Sequence, residues 1–245
     1  MIKKHLFFLF FALFLTGCEE KRPPDHMVIG TCADYPPFEF YQNGTLTGFE
    51  IELIQKIMCV LGKKGVIKDL PFESLIGSLY SGRIDMAISA LAETPERSEK
   101  MDFSIPYHES CTAMLVKENS SIKNIEDLAN QTIGVQLGTT YEAMVTKHWL
   151  SKISNLKVRS LAKVPDLLQD LKSGRLAAII IGIGEGNNIA KEISSLKVLP
   201  IEGIKAQYAI AFLKGSPLIE PVNHLIKKWR LDGTLLRLEE KWISK

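Results

Sequence analysis

The sequence predicts an α/β fold built as two similar lobes. Three features lead to this prediction. Short apolar runs alternate with segments whose apolar residues recur at helical spacing, the alternation starts again after residue 110, and the last segment can return to the first half. Strand, helix and strand in succession favour parallel pairing with right-handed crossovers, so each lobe is expected to hold a doubly wound sheet.

In the first half, residues 26–33 (HMVIGTCA) and 84–91 (IDMAISAL) are short apolar runs typical of buried strands. Between them, residues 49–64 (FEIELIQKIMCVLGKK) place apolar side chains at helical spacing and reach a stop signal at Gly62. We expect Cys59 to lie on the apolar side of this helix and to be structural.

The second half repeats this rhythm without repeating the sequence. We expect a capped helix over 121–130, a strand turning into a helix over 132–144, a helix over 165–175 that ends at Gly174, and a fully buried strand over 176–184. Residues 217–242 predict two helices separated by an Asp-Gly break, and this segment can pack back on the first lobe. A hinged pair of such lobes leaves a ligand cleft between them.

The first 17 residues are typical of a secretory signal peptide. A basic start precedes an apolar run over 6–15, which is too short to cross a bilayer as a helix. The following LTGC resembles a bacterial lipobox, whose cysteine receives fatty acyl chains such as palmitate. This resemblance makes Cys18 the lipid attachment point and residues 18–26 a tether. The alternative is a signal peptide that happens to end near a cysteine.

Charge and cysteine content exclude several classes of function. Removing residues 1–17 takes away Lys3 and Lys4 and no acid, so the 30 basic and 28 acidic residues become equal in number. Equal numbers argue against a nucleic-acid partner. The remaining Cys32, Cys59 and Cys111 show no metal-binding spacing, and we expect neither a metal nor a cofactor.

Seven motifs in order carry a resemblance to a known family. They are YPPFEF, LTGFEIEL, FESLIGSLYSGRIDMAIS, TPERSEKMDFSIPY, IGVQLGTTYE, YAIAFLKGS and DGTLLRLEEKW, and they span nearly the whole chain after the leader. The set resembles the periplasmic solute-binding proteins of the polar amino-acid uptake family, which includes proteins for glutamine, histidine, arginine and cystine. The resemblance implies a type II-like periplasmic-binding-protein fold with a two-segment hinge. Lobe 1 is then expected over 27–109 and 210–245, lobe 2 over 112–205, and the hinge at 110–113 and 207–210.

The resemblance also implies a function and partners. The chain is expected to be an exported, lipid-anchored monomer on the periplasmic face of a bacterial membrane that captures an amino acid by closing its hinge. It would deliver this ligand to the permease of an ABC importer driven by a cytoplasmic ATPase. The sequence has no G-x-x-x-x-G-K-[ST] loop, so it cannot supply the energy itself. Glutamine or cystine is favoured over arginine.

Arg97 is the main candidate binding residue. It follows the apolar run 84–91, at the cleft end of the expected strand, and its planar fork of donors matches a carboxylate. By resemblance, Arg97 grips the ligand's α-carboxylate, while Gln136, Thr139 and Thr140 line the pocket from lobe 2. The alternative is a surface arginine paired with a nearby acid.

Lobe 1 is expected to supply the other contacts. By resemblance, Ser89, Ala90 and Ala92 offer hydrogen bonds to the ligand, although Ala92 lacks the hydroxyl that relatives usually carry. Tyr35 and Phe72 match the two aromatic residues that enclose the ligand's side chain.

The sequence departs from the family pattern at two positions. Relatives place an aspartate at the position of Gly182 to bind the ligand's ammonium group, and they commonly carry an acid at the position of Cys32. A buried ammonium without a counter-charge is costly. Another acid (Glu185, Glu93 or Asp34), carbonyl oxygens with water, or a ligand that is not an ordinary α-amino acid would resolve the loss.

Two other classes of protein share this fold. Cyclohexadienyl and arogenate dehydratases use a carboxylic acid in the same cleft, and Glu185 is the residue to test for that role. The chain is nevertheless expected not to be an enzyme, because no second catalytic group is visible. A ligand-sensing receptor domain is usually followed by a membrane helix and a signalling region, and the sequence up to Lys245 contains neither.

Overall fold

The computed structural model describes residue 23 and residues 25–243. The expected signal peptide, Cys18 and most of the expected tether therefore lie outside the described residues. Within this part of the chain, no helix is long and apolar enough to span a bilayer. The described residues form two five-stranded sheets flanked by helices and one small three-stranded sheet, which confirms the predicted α/β fold class.

The first sheet has five strands. They are β1 His26–Thr31, β5 Lys64–Asp69, β6 Met86–Ala87, β7 Met101–Phe103 and β13 Ala211–Leu213. Their order is β5-β1-β6-β13-β7; β1 is parallel to β5 and β6, and β13 is antiparallel to β6 and β7. The helices of this half are α1 Phe49–Val60, α2 Phe72–Tyr80, α7 Ile219–Leu231 and α8 Thr234–Trp242. The two C-terminal helices therefore return to the first half, as predicted.

Helix α1 shows how the apolar pattern determines the packing. Its buried apolar side chains are Phe49, Ile51, Leu53, Ile54, Ile57 and Met58. Gly62 follows with a φ of 62°, a left-handed conformation that ends the helix. The expectation for Cys59 is wrong, because this residue is exposed. One residue beyond Met58 is a rotation of about 100° around the helix, which carries the thiol from the core to the solvent.

The second sheet also has five strands. They are β8 His108–Lys117, β9 Thr132–Gln136, β10 Lys157–Leu161, β11 Ala178–Gly182 and β12 Leu196–Tyr208, in the order β10-β9-β11-β8-β12. Helices α4 Thr140–Met144, α5 Val164–Ser173 and α6 Ile183–Glu192 belong to this half, and α4 continues as a π-helical turn over Val145–Trp149. All five residues of β11 are buried, as the apolar run over 176–184 predicts.

The expected capped helix over 121–130 is absent. This segment forms a single 3₁₀ turn, Glu126–Leu128. The Asp127 carboxylate accepts the backbone N–H groups of Lys123 and Asn124, at 2.8 and 3.2 Å. Such local bonds from a side chain give the backbone an alternative to a helix.

The chain passes between the two sheets twice. It crosses first over 104–107, between β7 and β8, and again over 209–210, between β12 and β13. The Tyr107 N–H donates to the Tyr208 carbonyl oxygen at 2.9 Å and joins the two crossings. The expected hinge segments overlap the ends of β8 and β12, and the exact lobe boundaries remain a prediction.

Two small elements complete the first half beside the cleft. A three-stranded sheet, which the sequence reasoning did not identify, contains β2 Asp34–Tyr35, β3 Glu39–Gln42 and β4 Thr45–Thr47. The one-turn helix α3, Pro95–Ser98, precedes β7.

Candidate functional site

A narrow cavity lies between the two halves. It is at the carboxyl ends of strands: Cys32 follows β1, Ser89 lies just after β6, and Gln136 ends β9. Open α/β sheets bind ligands at this edge. The expected site residues that line the cavity are Asp34, Tyr35, Phe72, Ser89, Ala90, Ala92, Arg97, Gln136, Thr139 and Thr140.

Arg97 reaches the cavity from α3, whose start is capped by Thr94. The Thr94 hydroxyl oxygen accepts the Arg97 N–H at 3.2 Å. The guanidinium donates to the Ala92 carbonyl oxygen at 2.5 Å and, across the cleft, to the Gly138 carbonyl oxygen at 3.0 Å. Its Cζ lies 5.8 Å from the centre of the Phe72 ring, within cation–π range. Burial lowers the pKa of Arg97 to about 10, so the group stays charged at neutral pH.

The acids near Arg97 in sequence bind elsewhere. Glu96 pairs with Lys147 at 2.9 Å, and Glu93 accepts the Ser98 hydroxyl at 2.7 Å on the exposed side of the turn. Among the described residues, no carboxylate forms an ion pair with the Arg97 guanidinium. A half-buried cation that lines a cavity without a counter-ion can receive an anionic ligand.

The second half supplies the turn before α4. Gly138 has a φ of 80°, and a Cβ at this position would lie 2.9 Å from the Glu73 backbone. Only glycine suits both the conformation and this close approach. Thr139 caps α4 by accepting the Glu142 N–H at 3.2 Å and donates its own hydroxyl to the Gln136 carbonyl oxygen at 2.7 Å. The turn brings Thr139 and Thr140 to the cavity wall.

The Ser89–Ala90 segment faces the cavity, but the protein already uses its donors. The Ser89 hydroxyl donates to Glu39 at 2.8 Å, and the Ala90 N–H donates to Glu50 at 2.8 Å. The Ser89 oxygen also accepts the Cys32 N–H at 3.1 Å. Ala90 has a φ of 45°, an uncommon conformation for a residue with a side chain. The buried acids therefore hold this segment in place.

Asp34 connects the two halves. Its carboxylate accepts Gln136 Nε2 at 3.3 Å, the Val164 N–H at 3.2 Å and the Cys32 thiol at 3.4 Å. Lys163 Nζ lies 3.8 Å from the Cys32 sulfur. Burial, and next the Asp34 charge, raise the pKa of the Cys32 thiol to about 12, so it stays protonated. Both oxygens of Asp34 thus have protein partners already.

Gly182 and Glu185 lie behind the tyrosine-lined wall of the cavity. The Gly182 N–H donates to the Tyr35 hydroxyl oxygen at 3.2 Å, and the hydroxyls of Tyr141 and Tyr208 are 3.3 Å apart. Glu185 is fully buried, and neither of its carboxyl oxygens has a close hydrogen-bond partner among the described residues. Burial raises the pKa of Glu185 to about 8.

The Glu185 carboxyl group takes up the space beside Gly182. A Cβ added at Gly182 would overlap Glu185 Oε2 and would lie 2.9 Å from the Tyr208 hydroxyl. A side chain at 182 and the present position of Glu185 therefore exclude each other. Glu93, by contrast, is exposed and lines a separate surface groove.

Sequence reasoning missed several residues of the site. Glu39, Tyr141 and Tyr208 line the cavity. All three stand inside the motifs that carry the family resemblance, and this was the signal that could have found them. Cys32 was noted only as a lost acid, although its side chain lies in the cavity wall.

The sequence is similar to those of known solute-binding proteins. The family model for bacterial extracellular solute-binding proteins, family 3, matches residues 27–245. The arginine-binding extracellular protein ArtP of Bacillus subtilis (strain 168) is 33% identical over 89% of this chain and 86% of its own length. The L-cystine-binding protein TcyJ of Escherichia coli (strain K12) is 35% identical over 89% of this chain and 82% of its own.

Solved structures show the same architecture. The substrate-binding protein of an amino acid ABC transporter superposes with a TM-score of 0.83 at 36% identity, over 90% of this chain and 100% of its own. An ancestral amino-acid-binding protein, described as a precursor of cyclohexadienyl dehydratase, has a TM-score of 0.81 at 32% identity, over 89% and 96%. These structures are two-lobed, and the fold predicted from the sequence is confirmed in this respect.

Proposed function

Because the chain belongs to the bacterial extracellular solute-binding proteins, family 3, we propose that its cavity captures an α-amino acid for an ABC importer. The observation that carries this proposal is the Arg97 guanidinium, which lines the cavity as a cation without a carboxylate partner among the described residues. A ligand carboxylate fits that position because the planar fork can donate two parallel hydrogen bonds.

Glu185 is the best of the three candidate partners for the ligand's ammonium group. Asp34 already receives donors on both oxygens, and Glu93 faces the exterior. Glu185 alone among the three combines complete burial with oxygens that lack a close partner. Its overlap with the missing Cβ of Gly182 supports the idea that its carboxyl group stands in for an acid at that position.

The side-chain end of the cavity favours a neutral ligand group. Two acids line the cavity, Asp34 and Glu39. Asp34 already accepts hydrogen bonds from Gln136, Val164 and Cys32, and Glu39 accepts the Ser89 hydroxyl. A cationic side chain would need a further buried acid. A glutamine-type or cystine-type ligand therefore fits better than arginine, although one of the relatives above is named as arginine-binding.

The remaining parts of the proposal concern anchoring and movement. We infer that Cys18 carries the lipid that holds the chain on the periplasmic face of the membrane, and the support is the LTGC motif. The crossings at 104–107 and 209–210 are the segments about which the lobes close, as a monomer, before release to a permease.

A dehydratase remains a second candidate, because one observation favours it. The pKa of Glu185 near 8 keeps this carboxyl group protonated at neutral pH, as a general acid requires. A non-catalytic binding role is the preferred proposal, since no second catalytic group is evident beside Glu185 in the part of the chain that the structure describes. Measurable conversion of arogenate by the purified protein, lost in Glu185→Gln, would reverse this preference.

A thermal-shift screen tests the main proposal. Purified mature protein is melted with each of the twenty amino acids, cystine and ornithine, and the cognate ligand raises the melting temperature because it binds only the folded form. The shift should vanish in Arg97→Ala and persist in the matched control Arg83→Ala, an exposed arginine outside the cavity. A screen in which no amino acid shifts the wild type contradicts the proposal.

A further inference from the structure

Two glutamates that the binding proposal does not use lie buried next to the cavity. Glu39 begins β3 and Glu50 stands in the first turn of α1, and both are fully buried. Among the described residues, neither forms an ion pair with a lysine or arginine. Buried acids without a cationic partner are rare because removing a charge from water is costly.

Each glutamate uses one oxygen to hold a different part of the site. Glu39 Oε1 accepts the Ser89 hydroxyl at 2.8 Å. Glu50 Oε1 accepts the Ala90 N–H at 2.8 Å and the Tyr107 hydroxyl at 2.5 Å. Among the described residues, the second oxygen of each acid is buried without a hydrogen-bond partner. The two acids are neighbours in space, because the Glu50 N–H donates to the carbonyl oxygen of Phe38, the residue before Glu39, at 2.9 Å.

Two facing carboxylates cannot both stay ionised in an apolar interior, so one must keep a proton and donate it to the other. Glu50 is the better anion because it accepts two further hydrogen bonds, whereas Glu39 accepts one. Burial, and next the charge of Glu50, hold the pKa of Glu39 well above its usual range. Burial also raises the pKa of Glu50, but hydrogen bonds from Glu39, Tyr107 and Ala90 oppose this rise.

We propose that Glu39 and Glu50 share one proton and act as a positioning pair that joins the cavity wall to the first crossing between the lobes. Through Ser89 and Ala90 the pair holds the cavity segment, including the left-handed conformation of Ala90. Through Tyr107, which precedes β8, it holds the crossing segment. This role concerns the unliganded protein and does not depend on which solute binds.

The titratable groups that surround the pair come from several elements. They are Tyr107 of the first crossing, His108 at the start of β8, Cys32 after β1, and Glu185 of α6. None of them is a lysine or arginine, so the shared proton is the main compensation for the buried charge.

Glutamine substitutions separate a shared proton from ordinary packing. In Glu39→Gln the amide can donate to Glu50 and accept from Ser89, so the bonding pattern is kept. In Glu50→Gln the amide donates to Glu39, which then carries the charge. In the double variant each glutamine side chain brings an NH₂ group, so the pair has one donor too many. Either the two NH₂ groups face each other, or Gln at position 39 turns over and the Ser89 hydroxyl loses its acceptor.

The first readout is the melting temperature of the unliganded protein between pH 5 and pH 8. A raised pKa in the folded state gives a stability contribution that is lost as pH rises above the unfolded value. Glu39→Gln removes this titration, so it should match the wild type near pH 5 and become progressively more stable than the wild type toward pH 8. The exposed Glu240→Gln should run parallel to the wild type over the whole range.

The second readout is hydrogen exchange of the Ala90 amide, which reports on the cavity segment directly. It should be nearly unchanged in either single variant and at least about tenfold faster in the double variant, beyond the sum of the single effects. Additive effects of the two substitutions on Ala90 exchange, or parallel pH profiles for Glu39→Gln and the wild type, would contradict the proposal that Glu39 and Glu50 share a proton. Neither measurement uses a ligand, so failure here is distinct from failure of the proposed function.

Discussion

The Arg97 guanidinium donates to the Gly138 carbonyl oxygen across the cleft, at 3.0 Å. Arg97 belongs to the first half and Gly138 to the second, so the side chain proposed to bind the ligand's carboxylate also bridges the two lobes. Ligand capture and lobe closure would then depend on the same group. A contact that exists only in the closed form shifts the hinge equilibrium toward closure.

Arg97→Ala is expected to abolish binding of the amino acid found in the thermal screen. The ligand carboxylate loses its fixed counter-charge, which costs on the order of 2 to 5 kcal/mol, or roughly thirtyfold to several thousandfold in affinity. The unliganded protein should lose only about 1 to 2 kcal/mol of unfolding free energy, from the two lost backbone contacts. Titration calorimetry and urea unfolding measure the two effects.

Arg97→Lys should also bind weakly, because an ammonium group cannot form two parallel hydrogen bonds. If Arg97→Ala kept the wild-type affinity, Arg97 would be a structural residue and the site built around it would have to be withdrawn.

Ligand binding at pH 7 is expected to release close to one proton. The pKa of Glu185 is raised from 4.5 to about 8 by burial, so the carboxyl group is protonated in the empty cavity at pH 7. A ligand ammonium favours the carboxylate and lowers this pKa, so affinity should rise from pH 6 to pH 8, by at most about tenfold per pH unit. Calorimetry at pH 7 in phosphate and in Tris should give different binding enthalpies.

The control for this prediction is Glu185→Gln, which should bind more weakly and show no buffer dependence. Equal enthalpies for the wild type in both buffers would mean that Glu185 does not meet the ammonium group.

Gly182→Ala should destabilise the protein by about 1 to 3 kcal/mol, because the new methyl group overlaps the Glu185 carboxyl group. Glu185→Ala removes this overlap, so the double variant should lose less than the sum of the single variants in urea unfolding. Gly182→Asp combined with Glu185→Ala should restore ligand binding through an acid on the other residue. Strictly additive unfolding energies would show that the two positions do not compete for space.

Cys59 should react quickly with a bulky thiol reagent in the folded protein, since it is exposed. Cys32 should react slowly, because it is buried and its pKa of about 12 leaves almost no thiolate at neutral pH. Absorbance after addition of the reagent follows these thiols together with the half-buried Cys111, and Cys59→Ser should remove the fastest phase. A fast phase that survives this substitution would place the reactive thiol elsewhere.

The sequence predicted the repeating parts of the fold better than the single positions. Apolar periodicity identified α1, α5, β11 and the two C-terminal helices, because each buries one face or all of its residues. It misplaced Cys59, since one residue at the edge of an apolar stripe can fall on either side. It also predicted a helix over 121–130, where the Asp127 side chain instead accepts hydrogen bonds from the backbone and only a short 3₁₀ turn forms.

The cavity wall could be predicted because family motifs mark it, but the buried acids could not. In a one-letter pattern Glu39, Glu50 and Glu185 resemble solvated surface residues. Only the fold brings Glu39 and Glu50 together, and only the missing Cβ of Gly182 makes room for Glu185.

The position of β13 constrains the order in which the chain can fold after export. This strand lies between β6 and β7 in the first sheet, yet it is made of residues 211–213. Every strand of the second sheet comes from the continuous stretch 108–208. A chain that is exported N-terminus first can therefore assemble the second sheet while the first sheet still lacks β13 between β6 and β7. A fragment cut before residue 211 would keep one complete sheet and leave an interrupted one open to aggregation.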